Sequence, residues 1–155
     1  MSPNELSELA PLAENLNAKS NDINETLKLV NKKLSALNLG IEAWVVSMDR
    51  DPDDEPDSDE SCPAIQIGFA KVEDVWQLAT RNCEAIVKVD ERYGYKSWVA
   101  VPGTCDLDRT PILQASRDAR IEALTVLPEL IADIKSKLEA KLKAIDAGKK
   151  IAAEL

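Results

Sequence analysis

The 155-residue chain contains no histidine, which removes the commonest general base and a frequent metal ligand. Serine and cysteine nucleophiles usually depend on an adjacent imidazole. The three cysteines, Cys62, Cys83 and Cys105, lack CxxC spacing and could supply only three of the four ligands of a closed zinc site. Carboxylate or lysine chemistry stays open, but no motif points to it. We therefore predict no catalytic site, no cofactor, no metal site and no enzymatic activity.

Long apolar runs and an excess of basic charge are also lacking. No apolar run approaches the roughly 20 residues that a bilayer requires. The first residues, Met-Ser-Pro-Asn-Glu, lack the basic and apolar regions of a signal peptide. These absences predict a cytoplasmic protein without a membrane partner, whose thiols are reduced and mostly buried. The formal net charge of -9 disfavours direct binding to nucleic acid, because phosphate backbones attract clustered lysine and arginine.

Apolar or small residues recur in an unbroken 3,4 alternation through the first forty residues. Its members are Leu6, Leu9, Ala13, Leu16, Ser20, Ile23, Leu27, Val30, Leu34 and Leu37. A sustained 3.5-residue repeat keeps one narrow seam facing another helix, so we predict a long helix within residues 1–39. We further predict a homo-oligomer, dimeric or larger, whose seam is formed by Leu16, Ile23, Leu27, Val30, Leu34 and Leu37. The alternative is that the chain's own C-terminal helix fills the seam.

The start and end of this helix carry local signals. Ser2 followed by Pro3 and Glu5 is typical of a helix N-terminus closed by a capping box. Pro11 removes one backbone donor, so we expect the first two turns to be kinked away from, or separate from, the main helix. Gly40 is typical of a left-handed stop after the helix.

Four asparagines, Asn17, Asn24, Asn31 and Asn38, recur every seven residues along one flank of the predicted helix. Asparagine is a poor helix former, so the stripe invites two interpretations. In the first, the amides bond to a partner helix or to the protein's own sheet and fix the register. In the second, they form a hydrated flank. The sequence favours the second interpretation, although Asn17, Asn24 and Asn31 are kept as a candidate partner surface.

From Ile41 the apolar period changes to two, which indicates strands. The pattern predicts strands at 41–48, 64–72, 75–81, 85–90 and 97–101. A tight hairpin is expected at Glu73-Asp74 and a turn at Tyr93-Gly94-Tyr95. Short connections make this region, residues 40–101, an antiparallel meander of four or five strands.

All six aromatic residues lie in the β region: Trp44, Phe69, Trp76, Tyr93, Tyr95 and Trp98. The favoured interpretation is that their rings fill the layer between sheet and helices, where each buries about 150–250 Å². The alternative is an exposed aromatic face that stacks a ligand. Tyr93 and Tyr95, next to a turn, are the better candidates for that role.

A strongly acidic segment, residues 49–61, separates the first two predicted strands and carries eight carboxylates and one arginine. Its acids partly match a calcium-binding EF-hand loop, but Asp54 stands where the sharp turn needs glycine and the flanks are strands. Dense like charge favours a disordered, hydrated loop. The alternative is an ordered site for a basic partner, with Asp53, Asp54 and Glu55 as its candidate residues.

The C-terminal region, residues 110–148, is predicted to form a pair of helices. The first begins near Ser116, and Pro128 starts or kinks the second. Lysines make the second helix locally basic: Lys135, Lys137, Lys141, Lys143, Lys149 and Lys150. They could complement acidic residues of a neighbouring subunit, but a hydrated face is the favoured interpretation.

Two segments, IGFAKVEDVWQLATR and TPILQASRDARIEALTVLPELI, together resemble small bacterial or phage proteins of unassigned function. The resemblance covers about half of the chain and implies a tryptophan-containing strand hairpin followed by a proline-containing helical tail. It implies no activity, ligand or site residue.

The sequence thus predicts a single α+β domain over residues 1–155 and favours the first of three functions, with the other two as alternatives. The first is a non-enzymatic oligomeric interaction or adaptor protein that associates through its long helices and binds another protein. The second is an acidic inhibitor that imitates nucleic acid, as in phage counter-defence. The third is a small-ligand binder that uses the aromatic sheet.

Overall fold

The structure, a computed structural model, describes residues 3–55 and 60–155. The helices are α1 (Pro3–Ala36) and α2 (Arg117–Glu154), and two single 3-10 turns lie at Pro52–Asp54 and Ile112–Gln114. The strands are β1 (Ala43–Ser47), β2 (Cys62–Val72), β3 (Val75–Val89), β4 (Lys96–Ala100) and β5 (Thr110–Pro111). The predicted α+β class, long N-terminal helix and antiparallel sheet are confirmed. Ser2, the predicted N-cap of α1, lies outside the described residues.

The sheet is an antiparallel meander in the order β1-β2-β3-β4, and β5 pairs with β3 beside β4. The hairpin between β2 and β3 turns on Glu73 and Asp74, whose φ angles of 52° and 65° are both left-handed. Two left-handed residues form the type I′ turn that matches the twist of paired strands, so the predicted hairpin is confirmed.

Two predicted strands, 75–81 and 85–90, are one continuous strand, β3. Its first edge pairs with β2 along residues 75–85, and its second edge pairs with β5 at Ala79 and Thr80 and with β4 at 85–89. Residues 82–84 between the two apolar stretches do not end the strand, because β2 pairs with them on one edge and the 101–106 segment bonds to Asn82 and Glu84 on the other.

One face of the sheet packs against both helices. Alternating residues of the strands, including Val45, Ile67, Phe69 and Leu78, meet Leu27 of α1 in a single buried cluster. From α2 the cluster receives Ala123, Leu130 and Ile134, and from the turn before it Ile112. The fold is thus a sheet covered on one side by two helices, and this layer forms the hydrophobic core.

The C-terminal region is one helix, so the prediction of a helical pair is wrong. α2 begins at Ser116, whose hydroxyl accepts the Ala119 N–H at 3.2 Å, and it runs through Pro128 to Glu154. Pro128 is exposed, while Ala123 before it and Leu130 after it are buried in the same core. Packing on both sides of the proline keeps the helix continuous and offsets the lost backbone hydrogen bond.

α1 likewise runs through Pro11 without a break in the helix. The prediction that the first two turns form a separate helix is therefore wrong. At its other end α1 stops at Ala36, and Asn38 adopts a left-handed φ of 51° two residues before Gly40, at 61°. Asparagine tolerates this conformation better than most residues, so the chain leaves the helix at the fourth member of the asparagine stripe.

Candidate functional site: the two helix arms

The middle of the predicted seam serves the chain's own fold. Leu27 is fully buried, and Ile23, Val30 and Leu34 pack against the same core cluster. The two ends of the seam are exposed: Leu16 at 44% and Leu37 at 64%. A partner chain can therefore reach the seam residues near either end of α1, but not those in its centre.

The asparagine stripe also acts within the chain. Asn31 Oδ1 accepts the backbone N–H of Leu78 at 2.7 Å, and four residues later Ser35 Oγ donates to the Trp76 carbonyl at 2.7 Å. Along this edge of β3, residues 75–78 pair with no strand in the part of the chain that the structure describes. Side chains of α1 thus take the place of a neighbouring strand and cover the open edge.

Two further members of the stripe connect α1 with α2. Asn24 Oδ1 accepts a hydrogen bond from Arg120 Nη1 at 2.6 Å, and Asn17 Oδ1 accepts one from Arg117 Nη2 at 3.1 Å. Three amides of the stripe thus bond within the chain and are not merely hydrated, and Asn31 bonds to the protein's own sheet as the first interpretation predicted. These amides are bonded internally, so the structure does not offer them as a partner surface.

The first half of α1 projects beyond the core. Every residue from 3 to 19 is exposed, and we call this segment the α1 arm. Four leucines lie on it: Leu6 is 61% exposed, Leu9 46%, Leu12 64% and Leu16 44%. At 1.5 Å per residue the α1 arm is about 25 Å long. Its leucines extend the apolar face of α1. That face enters the core at Ile23 and Leu27, within about three turns after the end of the arm.

The last two fifths of α2 are exposed in the same way. Every helical residue from 139 to 154 is exposed, and we call this segment the α2 arm. Leu142 is 60% exposed and Ile145 is 53% exposed, and both continue the helix face that holds buried Ile134 and half-buried Leu138. At 1.5 Å per residue, residues 139–154 make the α2 arm about 24 Å long. Each helix thus carries its core-facing apolar stripe well past the core.

The aromatic residues occupy three different environments. Phe69 and Trp76 stack at 5.7 Å on the core side of the sheet. Tyr93 and Tyr95 are 69% and 71% exposed, with ring centroids 6.1 Å apart. The core interpretation thus holds for the first pair. The tyrosines are exposed, and the stacking of a ligand on them stays a prediction.

Trp44 and Trp98 each lie beneath a guanidinium group. Arg81 lies 4.1 Å from the Trp44 ring centroid and Arg50 lies 5.4 Å from the Trp98 centroid, both within cation–π distance. A cleft of about 420 Å³ is lined by both tryptophans together with Gln66, Glu129 and Asp133 of neighbouring elements.

Glu42 neutralises the positive charge around Trp44. It accepts the Trp44 Nε1–H at 2.6 Å and pairs with Arg109 at 2.6 Å and more distantly with Arg81 at 3.9 Å. Arg81 Nε in turn donates to Gln66 Oε1 at 2.7 Å. These groups satisfy one another, so the cluster holds the strands and the 101–109 segment together.

The described part of the acidic segment is ordered. Asp51 caps the turn at Pro52–Asp54 by accepting the Asp53 N–H, and Arg50 pairs with Glu55 at 3.3 Å. Trp98 Nε1 donates to the Arg50 carbonyl at 2.9 Å and fixes this turn against β4. The prediction of a disordered loop is therefore wrong for residues 49–55, and residues 56–59 lie outside the described residues.

The three thiols differ in burial. Cys83 is buried, and Cys62 and Cys105 are half-buried. Burial, reinforced by the neighbouring Cys105, raises the pKa of the Cys83 thiol to about 11. Within residues 3–55 and 60–155 no group of three or more metal-ligating side chains is close enough to hold an ion. No helix in the same ranges is long and apolar enough to cross a membrane.

Comparisons with protein-family models, with curated proteins and with solved structures each found no match. Among the described residues, the two helix arms combine exposed apolar side chains with regular helical spacing, and they are the candidate site. Sequence periodicity found the α1 arm as part of the seam, but only the position of the core separates the exposed arm from the buried centre.

Proposed function

We propose that this protein is a non-enzymatic interaction protein that associates with further copies of itself through its helix arms. The observation that carries the proposal is the exposure of four leucines on the α1 arm and of Leu142 and Ile145 on the α2 arm. A helix that needs its apolar face only for its own core has no reason to extend that face for about 25 Å beyond it. In this role the helix arms hold the copies together, and the sheet with its covering helices acts as an adaptor that binds another protein.

The magnitudes agree with association at micromolar concentration. Fully burying a leucine contributes about 1.5–3 kcal/mol, so a leucine that is already half covered contributes about 1 kcal/mol. The exposed leucines of the α1 arm then supply about 4 kcal/mol for each copy when a partner helix covers them. The α1 arms of two copies therefore supply about 8 kcal/mol, and covering Leu142 and Ile145 on both α2 arms adds about 4 kcal/mol. Association costs at least about 4 kcal/mol in lost translational and rotational freedom, which leaves up to about the 8 kcal/mol that a micromolar dimer requires.

Support for a non-enzymatic role comes from the side chains that enzymes commonly use. The chain has no histidine, and its most buried thiol, Cys83, is held in the unreactive protonated form. The charged groups around Trp44 bond to one another. These features favour binding over chemistry.

Sedimentation equilibrium of the full chain between about 1 and 100 µM tests the proposal, since that range brackets a micromolar dissociation constant. We expect the wild type to form a dimer or a larger oligomer, and the variant Leu9→Asp/Leu16→Asp to be monomeric. Both leucines lie outside the core, so this variant should keep the wild-type circular dichroism spectrum. By contrast, Leu27→Asp would place a carboxylate in the chain's own core and unfold it.

The matched control is Leu29→Asp. Leu29 is 51% exposed, similar to Leu9 and Leu16, but it lies on the opposite side of α1 from the apolar stripe. We expect this variant to associate like the wild type. A wild-type protein that stays monomeric over the whole concentration range would contradict the proposed function.

A further inference from the structure

The two arms carry opposite charge balances. The α1 arm has three glutamates and one lysine, whereas helical residues 139–154 of the α2 arm have four lysines and three acidic residues. The contrast is notable in a chain whose formal net charge is -9. An acidic helix and a basic helix attract each other, whereas two copies of the acidic arm repel.

The charges that differ lie beside the exposed apolar residues. Glu5 and Glu8 precede Leu9 and Leu12 by four residues, which makes them neighbours on the helix surface. On α2, Lys141 precedes Ile145 by four residues and Lys149 follows it by four. Charges in these flanking positions set partner choice and orientation when two helices pack together.

Resting on the self-association proposed above, we propose that the α1 arm of one copy packs along the α2 arm of a second copy. The arms match in length, at about 25 and 24 Å, so each can cover the apolar stripe of the other from end to end. In a dimer with two-fold symmetry the contact forms twice, and each arm is covered by an arm of opposite charge balance. The occupant of each arm is therefore a second copy of this chain.

Charge reversal distinguishes this pairing from pairing between like arms. The acidic-arm variant is Glu5→Lys/Glu8→Lys, and the basic-arm variant is Lys141→Glu/Lys149→Glu. Each variant alone would bring like charges together in both contacts, and we expect its dimer to be about tenfold weaker at low salt. An equimolar mixture restores opposite charges in both contacts, so the mixture should form a heterodimer close to wild-type affinity.

The controls change charge on the far sides of the same arms. Glu14→Lys and Lys143→Glu each carry one reversal of the same kind away from the apolar stripes, and we expect them to associate nearly as the wild type does. The measurement is sedimentation equilibrium at about 0.05 M salt and again at about 0.5 M salt, where screening should reduce the effects of charge reversal. Circular dichroism checks whether Glu5→Lys unwinds the first turn of α1. If unwinding were the cause of weaker association, mixing with the basic-arm variant would not restore the affinity.

The outcomes separate the two proposals. If Glu5→Lys/Glu8→Lys associates as tightly as the wild type while Leu9→Asp/Leu16→Asp is monomeric, self-association stands and the pairing of unlike arms is overturned. The same holds if the two charge variants fail to rescue each other. If the wild type is monomeric throughout, the proposed function itself fails and the pairing fails with it.

Discussion

Replacing Asn31 by alanine tests whether α1 acts as the missing neighbour of β3. The Asn31 amide oxygen accepts the Leu78 N–H at 2.7 Å, on the edge of β3 where no described strand lies. Leu78 is 1% exposed, so water cannot readily replace the amide. Asn31→Ala therefore leaves a buried backbone donor without its acceptor.

The expected loss of stability follows from two opposing contributions. An unsatisfied buried donor costs about 1–3 kcal/mol. Alanine is the better helix former, which offsets up to about 0.7 kcal/mol of that loss. We expect the free energy of unfolding to fall by about 1–2 kcal/mol, and the melting temperature of a chain of this length to fall by about 2–8 °C.

Asn17→Ala is the matched control, because Asn17 belongs to the same stripe but is exposed and bonds to an exposed arginine at 3.1 Å. Its loss should change stability by less than about 0.5 kcal/mol, since exposed polar contacts contribute little and alanine favours the helix. Equilibrium urea unfolding, followed by circular dichroism at one fixed protein concentration, measures both variants. Equal effects of the two substitutions, or a more stable Asn31→Ala protein, would refute the role assigned to Asn31.

Two further predictions concern the sheet. A methyl group at Gly68 would overlap the Ala43 carbonyl and the Trp44 ring, so Gly68→Ala should destabilise the protein by about 1–3 kcal/mol. As a control, a methyl group at Gly148 in α2 meets nothing within 4 Å, so Gly148→Ala should stabilise the protein by up to about 1 kcal/mol. Urea unfolding in which both substitutions change stability in the same direction would contradict this account. Because burial raises the pKa of Cys83 to about 11, iodoacetamide at pH 8 should alkylate Cys83 more slowly than Cys62 or Cys105, and the rate at Cys83 should keep rising above pH 10. Peptide mapping over time measures the three rates. Modification of Cys83 before the other two thiols would contradict its burial.

Sequence patterns that act over a few residues predicted their structures correctly. The Glu73-Asp74 pair between two apolar runs predicted the hairpin, and Ser116 marked the start of α2. Such signals suffice because the turn or cap is formed by the same residues that carry the signal. The apolar alternation of β2 likewise identified the face, with Ile65, Ile67 and Phe69, that the helices cover.

Signals whose partner lies far along the chain were ambiguous in the sequence. The asparagine spacing showed a stripe, but the acceptor role of Asn31 depends on the edge of β3, 47 residues away. Pro128 indicated a break between helices, but packing of Ala123 and Leu130 on one core keeps α2 continuous. In each case a tertiary contact outweighed the local preference.

The division of the apolar stripe between fold and surface was decided by tertiary structure alone. The 3,4 repeat is the same at Leu9 and Leu16 as at Leu27 and Leu34, because periodicity states that a face is apolar and not what covers it. The core covers α1 only from about Ser20 onward and α2 only up to about Leu138, so both helices are longer than the layer they pack on. The sequence by itself determined the apolar faces of the helical regions, whereas packing on the core joined the C-terminal region into one helix and decided which residues are left as arms.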